Sequence, residues 1–143
     1  MGRPTPPSFG VHGPKVTTVP SKPGRDFDLL AAVLGHEIIR KYRPEVIIVL
    51  SMKGAGKESF ASKAEAAGYR LVPYNANAPY EAGTIRTSTV FRFKGMESHV
   101  VILTDVDALT TTRDRHKAYV GMTRAKYDLY VLGQPGALAL ITS

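Results

Sequence analysis

Two stretches of the chain hold side chains suited to phosphates and bases. Thr89-Val90-Phe91-Arg92-Phe93-Lys94-Gly95-Met96-Glu97 supplies a hydroxyl, two cations, two rings, a glycine and a carboxylate where a strand is expected to end. Hydroxyl and cations suit a phosphodiester, a ring face suits a base, and glycine lets backbone approach a ligand. Phe91 and Phe93 stand two apart, so in an extended segment they face the same way. Ala118-Tyr119-Val120-Gly121-Met122-Thr123-Arg124-Ala125-Lys126 places Arg124 near the end of a short helix. A planar, permanently charged guanidinium there can reach a phosphate, or it can neutralise the helix end and pair with Asp128.

Other candidates fail on their own chemistry. Ser51-Met52-Lys53-Gly54-Ala55-Gly56-Lys57-Glu58 follows an apolar run, where a phosphate-cradling Walker A loop belongs. Ser51 replaces its first glycine, and Glu58 replaces the Ser or Thr that binds magnesium, placing negative charge where phosphate and metal meet. The stretch reads as a strand-to-helix turn with solvated Lys53 and Lys57. Without a phosphate loop to serve, Asp105 and Asp107 read as caps for the turn out of a buried strand. His12, His36, His99 and His116 lack ligand spacing, so no metal is expected, and no nucleophile elbow occurs. Zero cysteines exclude a thiolate zinc site, a cysteine nucleophile and a disulfide framework.

The elements that must position these residues follow from periodicity. With 143 residues, 43% of them hydrophobic, one core is expected, large enough to need neither disulfide nor metal. A net charge of +7 favours polyanionic partners. Six of the ten prolines lie between Pro4 and Pro23, so residues 1–25 read as a Pro/Gly-rich connector and residues 26–143 as the packed domain. A helix is expected from Asp26, as its cap, to Pro44, and another over about residues 58–67, ended by Gly68. A third is expected over residues 113–126. Strands are expected at 46–50, 69–72, 85–90, 100–104 and 129–132. Such alternation predicts an α/β fold, a mostly parallel sheet with helices on both faces, and ligands at the carboxyl ends of its strands. No apolar run is long enough to span a bilayer and no secretory h-region is present, so a soluble, cytoplasmic protein without membrane contact is expected.

Thr-x-x-x-x-Lys-Gly-Met-Glu before the apolar run at 100–103, then Tyr-Val-Gly-Met-Thr-Arg-Ala-Lys, resemble motifs V and VI of UvrD/Rep-type superfamily 1 DNA helicases. The resemblance implies the second, C-terminal RecA-like motor domain of such an ATP-dependent enzyme. It assigns Arg124 as an arginine finger, catalytic and facing the γ-phosphate, and places Gly95 and Glu97 beside the nucleotide, the carboxylate at the ribose. Thr89, with Phe91, Arg92 and Lys94, would face single-stranded or partly duplex DNA. ATP and Mg²⁺ would be held mainly by a Walker-containing half, from the same parent chain or a partner, that this sequence lacks. The chain would then be a piece of a larger helicase, inactive alone. Phe91 stands where the family has histidine, and Ser98 where an aromatic follows the glutamate; the segment that opens the family's second domain is not recognisable. The alternative is a DNA- or protein-binding module that kept the fold without catalysis.

Overall fold

Ile47 opens a run of apolar, mostly β-branched residues that becomes the centre of a sheet buried on both faces. The computed structural model describes residues 13–142. Within them seven strands form one sheet: β1 (Lys15–Pro20), β2 (Ile47–Ser51), β3 (Glu65–Ala66), β4 (Tyr69–Pro73), β5 (Thr84–Thr89), β6 (Ser98–Val106) and β7 (Ala125–Gly133). Their spatial order is β1-β7-β6-β2-β5-β4-β3, and every pairing is parallel except the β3–β4 hairpin.

Alternate residues of these strands feed two cores. Helix α1 (Asp26–Val33), continued by a π-helical turn (Leu34–Ile38) and the short α2 (Ile39–Lys41), places Leu30, Leu34 and Ile38 against Ile47, Val49 and Ile102. On the other face α3 (Thr112–Met122) and α4 (Pro135–Thr142) cover Leu50, Val101 and Leu103. The fold is therefore α/β and RecA-like, with a mostly parallel sheet between two helical layers.

Several local expectations are corrected. Part of the connector, Lys15–Pro20, is an edge strand paired along its length with β7, so packing begins well before residue 26. Its β-branched residues suit a strand, and Pro20 ends it at the sheet's edge, where a missing donor costs little. Residues 1–12, with His12 and the rest of that segment, lie outside the described residues, as does Ser143. Asp26 is not a cap: Arg25 is the N-cap, and Asp26 stands in the first turn accepting from Ser21 Oγ at 3.0 Å. No helix forms over residues 58–67. Ser62 has φ +65°, and Phe60 is drawn into the α1 core, so tertiary contacts override local propensity. Gly68 serves a hairpin, since Ala67 and Gly68 both have positive φ between β3 and β4. The third helix stops at Met122, because Arg124 already pairs with the sheet through its carbonyl and Ser98 N, 2.9 Å apart. Helix α4 had no counterpart among the expected elements.

Candidate functional site

Arg124 leaves α3 one residue past its C-cap, Thr123. Its Nε donates to Val120 O at 3.1 Å, Nη1 to Met96 O at 3.1 Å, and Nη2 to Thr123 Oγ1 at 3.0 Å. Three of five donors are thus spent on neutral oxygens, which fix the fork without cancelling its charge. Among the described residues no carboxylate pairs with it. Asp128, the partner in the alternative reading, is buried and accepts instead from the Tyr42 hydroxyl. That bond, with burial and the negative charge, pushes the Tyr42 hydroxyl up to about 12.

Met96 lies between two other expected site residues, so Gly95, Glu97 and Arg124 form one locality. Gly95 turns the chain with φ +85°, a conformation glycine adopts freely. Glu97 is exposed, with Oε1 3.6 Å from Lys126 Nζ. Gly121 allows the helix to close on the start of the segment: a Cβ on it would stand 3.1 Å from both Leu103 and Val90 side chains.

The geometry divides the expected site. Thr89 ends β5, whereas Ser98 and Ala125 begin β6 and β7, so Glu97 and Arg124 sit at the amino edge, opposite the carboxyl edge where ligands were expected. Because Thr89 and Thr104 both pair with Ser51, Thr89 is level with Thr104, six strand residues or about 20 Å from Ser98. Residues 90–97 cross that distance over the face covered by α3.

This crossing is a series of turns rather than an extended segment, with Phe93 N bonded to Thr89 O, Lys94 N to Phe91 O and Met96 N to Phe93 O. Phe91 and Phe93 therefore part, against the expectation of a shared face. Phe93 is buried edge-on to Tyr74, ring centres 5.0 Å apart, while Phe91 is 43% exposed. Arg92 and Lys94 are exposed beside Phe91. Thr89 is buried, and its Oγ1 accepts from Arg92 N at 3.3 Å, so its hydroxyl shapes the turn.

Lys117 escaped sequence reasoning, and Asp105, read as a cap for the turn out of its strand, lies within β6 and bonds to a different loop. Lys117 on α3 lies over the Phe91 ring, Nζ 4.9 Å from its centroid. Burial and then neighbouring Arg113 lower its pKa, against a smaller raising effect of Asp114. Helical spacing from a motif to a residue outside it was the only available signal. At the carboxyl edge, Asp105 is buried with φ +63° and accepts from Ser51 Oγ at 2.5 Å and Ser59 N at 3.1 Å. It fastens the glycine-rich loop, while exposed Asp107 meets Lys53 at 3.6 Å. No helix follows that loop to present a phosphate-binding terminus.

Residues 84–132 match the UvrD-like helicase C-terminal domain. The matched stretch runs from β5 to near the end of β7 and contains Thr89, Phe91, Arg92, Lys94, Gly95, Glu97, Lys117 and Arg124. The resemblance to UvrD-type helicases read from the two motifs is thus upheld. The crystal structure of the C-terminal domain of a possible DNA helicase from Lactobacillus plantarum WCFS1 is similar, with a TM-score of 0.59 and 17% identity. The likeness covers 90% of this chain and 80% of that one, and establishes a shared fold. No curated protein matches the chain. Among the described residues no helix is long and apolar enough to cross a membrane.

Proposed function

We propose that this helicase-derived domain is the second motor half of an ATP-dependent DNA helicase or translocase. The supporting observation is the Arg124 guanidinium, held by three neutral oxygens beside Gly95 and Glu97, with no carboxylate paired to it among the described residues. An anion at that point would find an oriented fork whose ordering is already in place. Arg124 suits the γ-phosphate of ATP carried by a Walker-containing half, and Glu97, once free of Lys126, suits a ribose hydroxyl. ATP with Mg²⁺, bound mainly by that other half, supplies the phosphoanhydride to be hydrolysed. Arg124 stabilises negative charge as the terminal phosphoryl group separates, a contribution of about 10³-fold or more in rate for an arginine finger. At the other end of residues 90–97, Phe91, Arg92 and Lys94 offer a ring and two cations to single-stranded DNA, with Thr89 holding their turn.

The test is ATP hydrolysis by this chain joined to a Walker-containing helicase half, with and without single-stranded DNA. Activity should appear only in the joined protein and fall about 10³-fold in Arg124→Gln. Arg124→Lys should fall nearly as far, because an ammonium cannot reproduce the three-way fork. Activity that survives Arg124→Gln, or never appears, overturns the reading in favour of a binding module without catalysis.

A further inference from the structure

The exposed Phe91 ring lies in a cluster of charge from two elements. Arg92 and Lys94 follow it in sequence, and Lys117 of α3 lies over it, with Arg113 one helical turn earlier on the same helix face. Among the described residues none of these four cations has an ion-pair partner. Asp114 is the acidic group that acts on Lys117. Two like charges one turn apart oppose helix formation, and partial burial of Lys117 adds desolvation. The fold tolerates both costs at a place where a large aromatic side chain also remains in solvent. Unpaired cations around an exposed ring fit a ligand that alternates negative charge with flat apolar faces, as single-stranded nucleic acid does.

Building on the DNA-facing reading of Phe91, Arg92 and Lys94, we infer that Lys117, with Arg113, extends the nucleic-acid path onto α3. Phe91 is the base platform and the Lys117 ammonium its exchangeable cover. In the free protein the ammonium rests on the ring by a cation–π contact. When a strand binds, the flexible side chain swings to a backbone phosphate and yields the ring face to a base. Arg113 meets a neighbouring phosphate. Lys117 thus contributes a counterion-releasing contact and also governs access to the stacking surface.

The experiment is fluorescence anisotropy of a labelled oligo-dT strand with the full chain over a series of salt concentrations. An abasic strand of the same length serves as the second probe. The wild type should bind oligo-dT more tightly than the abasic strand. Lys117→Gln should weaken oligo-dT binding several-fold and reduce the salt slope by about 0.7, the value for one phosphate contact on a single strand. Lys117→Arg should retain the slope. Phe91→Ala should keep the slope but lose about tenfold in affinity for oligo-dT, removing the preference over the abasic strand. An unchanged slope and affinity in Lys117→Gln overturns the inference. If Phe91→Ala or Arg92→Ala/Lys94→Ala still weakens binding, the DNA-facing reading survives that failure; if neither does, both fall. Equal binding of the two probes by the wild type, or no binding at low salt, also overturns the inference.

Discussion

Replacing Asp105 with alanine should cost about 4 kcal/mol, while asparagine should cost about 1 kcal/mol, and the contrast tests how the carboxyl edge of the sheet is held. Asp105 is 2% exposed and has φ +63°. Its Oδ2 accepts from the Ser51 hydroxyl and from the Ser59 amide, and Ser51 Oγ accepts in turn from Lys53 N at 3.0 Å. Alanine leaves two donors without that acceptor, each bond to a carboxylate being worth about 1.5–3 kcal/mol. It also keeps a left-handed backbone that costs an ordinary L-residue about 1 kcal/mol. Asparagine adopts that conformation more readily, and its carbonyl can accept from both donors. Urea denaturation measures both variants, and a loss of about 4 kcal/mol is a large share of the 5–15 kcal/mol typical of a domain. An alanine variant within about 1 kcal/mol of the wild type, or an asparagine variant as damaged as alanine, would refute the reasoning.

The two phenylalanines should diverge in the same assay. Phe93→Ala empties a buried site against Tyr74 and should cost about 3–5 kcal/mol. Phe91→Ala, on an exposed ring, should stay within about 0.5 kcal/mol, and equal losses would contradict the observed split. Alkaline pH should also destabilise the fold. The Tyr42 hydroxyl is pushed to about 12 by its bond to Asp128, and that of Tyr130 to about 12 by burial and then by Asp128, both from 10.0. Raised folded-state values favour the neutral phenols, so this stabilisation is complete below pH 10 and is lost as pH rises toward 12. The urea midpoint should fall over that interval, and less steeply in Tyr42→Phe; a flat or rising midpoint would count against the Tyr42–Asp128 bond.

The central strands were legible because each is a continuous apolar run, a pattern that burial on both faces imposes whatever the neighbours. The edges were not. Lys15–Pro20 has four β-branched residues but sits among prolines, and only pairing with β7 makes it a strand. Residues 58–67 have helical propensity, yet Asp105 captures Ser59 N from 46 residues away. Such a contact leaves no local trace in sequence. At the candidate site, motif spacing singled out Gly95, Glu97 and Arg124, and the fold brings them together. It gave no sense of direction along the sheet, so the amino-edge position of Glu97 and Arg124 emerged only from the turn after Met122. Lys117 was hidden because its ring partner lies 26 positions earlier in the chain.

That direction along the sheet bears on how a motor half would work. Residues 90–97 must travel about 20 Å along the strands and about 10 Å sideways, since β2 lies between β5 and β6. Eight residues reach no more than about 28 Å when fully extended, so a segment containing turns has little slack. It is also pinned part-way, with Val90 fully buried and Phe93 2% exposed. Arg124 grips its far end at Met96. A force on the Arg124 end therefore cannot be absorbed by stretching or unspooling the segment. It must move helix, segment and sheet together, which is the rigid-body displacement that closing a nucleotide cleft would need to carry a strand-binding surface with it.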